Sequence, residues 1–388
     1  MACTSLYELL LECGDVVGTS GMLTPLLSIL SGLPKLEHLH LLVAHIPPIT
    51  LPSLPKLTRL VIQDKSFRSG ENETPSKAVL ICSPKDLRKL VIYSLSISPG
   101  ILSGILGKNE PCPNLTSLAL HIPEQSFSLL FDMLKLCPEL TELHIFNTGR
   151  QVSGLSLKLS PDVSQKIEDF TGPISLARVI LPGRPIKIVW IMGEPWASSY
   201  RPELLEDLKT FSQSTATKSL HLDVPLRLST PEMFSTISNL FPDLLDLQLH
   251  INTDGINSSY NHSPQRIREA IKDEVIPRNQ LEEPLEGQIK PFEEQDRLEN
   301  RPDVAKASGY KKLVYDVALG KIPLPSGLTK LTLALIHDPH YMIDLEESNL
   351  GWRFFEPFTY FMVKIGFSSR EWQYCWYKEE ETWRALRK

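Results

Sequence analysis

Histidine, cysteine and carboxylate side chains are the groups that could hold a metal or move a proton, and their spacing decides whether they do. His40, His121, His144, His221 and His250 all fall in short stretches of alternating apolar residues. A zinc site needs ligands converging with spacings such as HExxH or paired CxxC motifs, and neither occurs in this chain. The six cysteines, Cys3, Cys13, Cys82, Cys112, Cys137 and Cys375, are scattered, which reads as reduced core thiols rather than a zinc site or a disulfide framework. GxSxG, GxxxxGK[ST] and a post-strand GxGxxG are also missing. The acidic residues are dispersed rather than convergent, so no catalytic residue, metal or cofactor is expected, and the chain reads as a non-enzyme.

The net charge of −6 and pI near 6.0 lack the clustered basic excess that phosphate-backbone binding requires, so nucleic acid is not an expected partner. The N-terminal stretch carries Glu8, Glu12 and Asp15 and no basic region ahead of its apolar run, unlike a secretory signal. No apolar stretch is long enough to span a bilayer. The expected location is cytoplasmic or nuclear, and the sequons at Asn72, Asn114, Asn257 and Asn261 read as chance matches.

What positions these residues is a repeat. CPNLTSLALHI begins at Cys112 and CPELTELHIF at Cys137. The shared phrase is an apolar residue, two variable ones, an apolar, one variable, an apolar. It recurs at Leu6/Leu9/Leu11, Leu36/Leu39/Leu41, Leu57/Leu60/Ile62 and Leu87/Leu90/Ile92, and again at Leu244/Leu247/Leu249 and Leu328/Leu331/Leu333. Thr217 takes the first slot before Leu220 and Leu222. This is a leucine-rich-repeat pattern. In an extended strand the fourth and sixth positions point to one face and the third and fifth to the other. Helical signals lie between copies, in SFSLLFDMLKL and after Thr230-Pro231, where a capping residue precedes a first-turn proline. The expected fold is an α/β solenoid with a parallel concave sheet and convex helices, a horseshoe. A single repeat cannot offset the entropy of its own ordering, whereas stacked repeats share one core.

Two stretches depart from the simple phrase. Taking Ile167/Phe170 and Ile186/Val189/Ile191 as strands gives ordinary repeat lengths and turns SLARVIL into a short helix ended by Pro182-Gly183, a glycine C-cap. Between Leu244 and Leu328, SPQRIREAIKDEVIPRN reads as a helix, followed by a charged, apolar-poor segment that reads as a mobile loop. YKKLVYDVALG supplies a helix before the Leu328 strand. The domains expected are a solenoid over 1–251, a charged, partly disordered insertion over 252–309, a last repeat over 310–340 and an aromatic-rich C-terminal cap over 341–388.

Third and fifth positions of the strands form the expected partner-binding face. The third-position candidates are His38, Arg59, Lys89, Glu142, Asp246 and Lys330, and the fifth-position candidates are His40, His144, Trp190 and His221. Trp190 is the sharpest, since tryptophan is a frequent interface anchor; the alternatives are packing beneath a neighbouring loop or a register displaced by one residue. In the tail, Trp372, Tyr374 and Trp376 alternate and share one face of a strand. That tail caps the last repeat or, alternatively, forms a groove for a ligand or peptide.

CPNLTSLAL, CPELTELHI, FPDLLDLQL and FTGPISLARVILPGRPIKIVWI (170–191) together resemble the F-box/leucine-rich-repeat proteins of mushroom-forming fungi, over roughly residues 1 to 340. The segment from Gly172 to Ile186 is the most specific part. The resemblance implies a substrate-binding solenoid of a cullin-RING ubiquitin ligase, whose F-box docks on a Skp-type adaptor. Here the first strand phrase begins at Leu6, and LPSLPKL (51–57) is repeat sequence, so no F-box is recognisable for such an adaptor to dock on. The ninth repeat position holds Gly14, Ala44, Lys65, Pro123 and Thr148 rather than Asn, so an irregular solenoid is expected. The function expected is non-catalytic protein recognition; the alternatives are a structural remnant or decoy without a ligase link, and an enzyme.

Overall fold

A computed structural model describes residues 6–12, 25, 29–30, 32–43, 56–63, 78–146, 159–160, 162–192, 201–214, 216–225, 228–252, 313, 316–317, 321–336, 360–367, 370–379 and 382–387. The chain divides into two compact units. The first comprises Met1–Glu194, Pro202–Leu222 and Asp243–Leu245; the second comprises Pro195–Arg201, Asp223–Pro242 and Asp246–Lys388.

The first unit is a parallel sheet whose strands follow one another in chain order. They are β1 (Glu8–Glu12), β2 (His38–Leu42), β3 (Arg59–Gln63), β4 (Lys89–Tyr93) and β5 (Ser117–His121). β6 (Glu142–Phe146), β7 (Asp169–Pro173), β8 (Ile188–Met192) and the start of β9 (Ser219–Pro225) complete it. Helices α1 (Ser98–Lys108), α2 (Phe127–Lys135), α3 (Ile174–Ile180) and α4 (Arg201–Phe211) are interspersed. The arrangement is α/β and consistent with a leucine-rich-repeat-like solenoid.

Register follows the repeat phrase. Glu8, His38, Arg59, Lys89, Ser117, Glu142, Asp169, Ile188 and Ser219 are successive Cα partners, so the third positions form one unbroken row. Leu39, Leu60, Leu90, Leu118, Leu143, Phe170, Val189 and Leu220 occupy the next row and are buried. Each such side chain contributes roughly 1.5 to 3 kcal/mol, so this row and the sixth-position row supply the core.

A second ladder explains the threonine in the phrase. The second-position carbonyls of Glu37, Thr58, Arg88, Thr116, Thr141, Glu168 and Lys187 each accept two backbone N–H groups from the following strand's entry. Where that second position is threonine, its hydroxyl donates back to the same kind of carbonyl. Thr58 reaches Glu37 at 3.4 Å, Thr116 reaches Arg88 at 3.3 Å and Thr141 reaches Thr116 at 3.0 Å. The strand entry is thus tied to its predecessor by main chain and side chain together.

The segment from Gly172 to Ile186 has its own logic. α3 ends at Ile180, and Gly183 takes φ +74°, a conformation that favours glycine. Arg184, 1% exposed, folds beneath this turn. Its guanidinium donates to the carbonyls of Ile180 at 2.7 Å, Ser160 at 2.9 Å and Val163 at 3.1 Å. The sequence-predicted strands on either side of this helix stand as expected.

In the second unit, helix α5 (Pro231–Leu240) opens on Thr230, whose hydroxyl accepts from the Met233 N–H at 3.4 Å. Strands β10 (Asp246–Asn252), β11 (Lys330–Ile336) and β12 (Tyr360–Phe367) are parallel, and β13 (Arg370–Glu379) and β14 (Thr382–Arg387) continue antiparallel. The described residues of the aromatic tail, 360–367, 370–379 and 382–387, are therefore β-structure that extends this sheet, with a further parallel strand beyond the Leu328 phrase. Leu313, Asp316 and Val317 are helical, in keeping with the helix read there. Asn252, the first residue of the expected insertion, ends β10; residues 253–309, including the SPQRIREAIKDEVIPRN segment, lie outside the described residues.

Candidate interaction surface

The side of the sheet carrying the third and fifth positions, the open face below, exposes Arg59 and Glu142, whereas Val91, Ser117, Ala119 and Thr171 lie buried within it. In the first unit, the structure places His38, Arg59, Lys89 and Glu142 in the third row and His40, His144, Trp190 and His221 in the fifth. Trp190 holds the predicted register, opposite Thr171 and His221. It is half-buried, with its ring 5.4 Å from that of His221. Ile188, two residues earlier and on the same face, is an exposed large apolar side chain.

The third-row charges are segregated. Arg59 and Lys89 are neighbours, Ser117 intervenes, and Glu142 and Asp169 are neighbours. Like charges directly opposite on adjacent strands destabilise a sheet by a few tenths to about 1 kcal/mol. Arg59, Lys89 and Glu142 make no ion pair within the described residues. Elsewhere the exposed charges are matched across repeats, as in Lys166–Glu139 at 2.6 Å and Lys187–Glu168 at 2.8 Å. Burial pushes the Asp169 carboxyl above the ordinary carboxylate range; His144 and His221 pull it back and Glu142 adds to the rise. His144 Nδ1 lies 2.9 Å from Thr171 Oγ1, which fixes its ring.

The fifth row contains a floor that polar-residue reasoning missed. Val61, Val91 and Ala119 form a buried apolar cluster, with Tyr93 and Phe146 packed against it. Tyr93, His121 and Phe146, in the seventh row, make a ring cluster with centroids 5.1 to 5.7 Å apart. Burial lowers the pKa of His121, which keeps that ring neutral and suited to apolar company. The signal was available: the fifth position reads Val, Val, Ala in three consecutive phrases. Two buried polar atoms of this face, His40 Nε2 and Ser117 Oγ, have no hydrogen-bond partner among the described residues, an arrangement that carries a cost.

The remaining candidates lie in the second unit. Asp246 and Lys330 are Cα partners and pair with each other at 2.9 Å, so each charge already has a counterion. In the same unit, His250 Nδ1 lies 2.9 Å from Asp223 Oδ1, and its Nε2 lies 2.6 Å from Gln248. Among the described residues no group of three or more His, Cys, Asp or Glu side chains is placed to hold a metal ion, and no helix is long and apolar enough to cross a membrane. Asn114 is exposed, and its amide donates to the Lys85 carbonyl at 2.7 Å.

The sequence matches no protein-family model, and no curated protein matches it either.

Proposed function

We propose that this chain is a non-catalytic recognition protein, a leucine-rich-repeat solenoid that holds a protein partner on its concave strands in the cytoplasm or nucleus. In this reading it resembles the substrate-binding part of an F-box adaptor. The observation that carries the reading is the open face of the first unit, where Arg59, Lys89 and Glu142 make no ion pair among the described residues and border a buried apolar cluster. A face with no partner would be expected to cancel its charges, as the neighbouring surface does at Lys166–Glu139 and Lys187–Glu168.

The test is a triple replacement, Arg59→Ala, His144→Ala and Trp190→Ala. Binding of a partner captured by the wild-type chain is lost while circular dichroism is unchanged. Unaltered binding with an intact fold contradicts the placement of the surface.

A further inference from the structure

We propose that the open face between β3 and β7 binds an extended peptide laid across the strands, carrying an acidic, a large apolar and a basic side chain at every second residue. This deepens the recognition reading above and rests on it.

Charge order gives the ligand its ends. Arg59 and Lys89 are adjacent in register, and so are Glu142 and Asp169. A wholly acidic ligand would satisfy the first pair and be repelled by the second; a wholly basic one would meet the reverse. Only a ligand with charge of each sign, separated along its length, meets both pairs with the opposite charge.

Spacing gives the separation. Adjacent strands lie about 4.8 Å apart, so the midpoint of Arg59 and Lys89 is three strand intervals, roughly 14 Å, from the midpoint of Glu142 and Asp169. An extended chain advances about 3.3 Å per residue, which makes four residues the best match at roughly 13 Å. Residues at i, i+2 and i+4 of an extended peptide face the same way. The acidic residue at i and the basic residue at i+4 therefore both meet the sheet.

The floor gives the middle. The i+2 side chain falls over β5, which presents Ser117 and Ala119, the smallest residues of the two rows in this stretch. Val91 borders this space in the adjoining strand, and Tyr93 and Phe146 pack against the same cluster. Ser117, Ala119 and Val91 are each 5% exposed, so a large apolar side chain at i+2 rests on the half-buried rings of Tyr93 and Phe146 that border them, with no charge to desolvate beneath it.

The test uses fluorescein-labelled nonapeptides with the full-length chain. One carries Glu-Ser-Phe-Ser-Lys at its centre, and its relatives carry Glu at both ends, Lys at both ends, or Ser for Phe. The mixed-charge peptide is expected to bind at least tenfold more tightly than each relative, and the double variant Arg59→Glu/Lys89→Glu to lose that binding at least tenfold with unchanged circular dichroism. Equal affinities for the four peptides would overturn the proposal. A displayed random heptapeptide library, selected on the full-length chain, separates this failure from failure of the recognition reading. Enriched peptides that lack the acidic-apolar-basic pattern, yet lose binding to the double variant and to Glu142→Lys, overturn the ligand chemistry alone. No enrichment, or peptides indifferent to those variants, overturns both.

Discussion

Replacing Arg184 tests the turn that sets β8, the strand presenting Ile188 and Trp190. The side chain is buried, and its guanidinium serves the carbonyls of Ile180, Ser160 and Val163 at 2.7, 2.9 and 3.1 Å. Arg184→Met keeps the length of the side chain and removes every donor. Each buried carbonyl left without a partner costs about 1 to 3 kcal/mol. Two of these bonds are only partly buried, which holds their cost near the lower end. Relief from burying a cation beside carbonyls alone, the cause of the lowered Arg184 pKa, offsets part of the total. The net loss expected is about 3 kcal/mol, or roughly a hundredfold faster exchange of protected amides in the surrounding segment. Hydrogen exchange read by mass spectrometry over residues 159–192 measures it directly, and Lys187→Met, at an exposed surface pair, serves as a control with less than about 0.5 kcal/mol at stake. Exchange within threefold of wild type in the Arg184 variant would refute the assignment of this residue as the turn's staple.

Two glycines of α1 should respond with opposite sign. A Cβ at Gly104 would stand 2.0 Å from the Val79 carbonyl oxygen, whereas one at Gly107 meets nothing within 4 Å; Gly104→Ala is expected to lose about 1 to 3 kcal/mol and Gly107→Ala to gain about 0.5 to 1 kcal/mol, both read by thermal melting. Burial pushes the Cys82 thiol to about 12, and the neighbouring Cys112 thiol together with burial raises that of Cys137, so at pH 8 about one Cys82 in ten thousand is thiolate. Native Cys82 and Cys137 should resist a disulfide reagent until denaturant is added. Asp169 has a raised native pKa, so the folded state binds its proton more readily than the unfolded chain, and wild type carries a penalty at neutral pH that disappears as pH falls through the native pKa. Asp169→Asn should therefore melt higher than wild type at pH 7.5, with the gap narrowing toward pH 4.

Strand register was legible because a period of two allows only two faces, and the leucines choose between them. The Thr in the LT phrase was visible as recurrence, but its purpose depends on a carbonyl contributed by the preceding repeat, which no local pattern contains. Pro182-Gly183 was readable as a helix stop; the adjoining Arg184 gave no sign of being a buried donor to four carbonyls, since arginine in a turn ordinarily faces solvent. Val61, Val91 and Ala119 share the face that the register assigns to the fifth position, but their clustering beneath Tyr93 and Phe146 depends on seventh-row rings that the repeat phrase does not include. Asp246 and Lys330 stand in the same third-position row, but that they pair with each other follows only once the Leu244 and Leu328 strands, far apart in the chain, are set side by side. β12 was missed because its aromatic sequence lacks the leucine phrase, although main-chain pairing with β11 asks only for an extended segment of matching length.

The central claim is that the open face of the first unit meets a partner polypeptide. A photo-crosslinking residue placed at His144 tests it, with the same residue at Lys135, on the exposed surface of α2, as the reference, each in the full-length chain in its own cell extract. The account predicts a discrete adduct from position 144 that vanishes when Arg59 and Trp190 are replaced by alanine, and none from position 135. Adducts of equal yield from both positions, or an adduct at 144 that persists in the alanine variant, would contradict it.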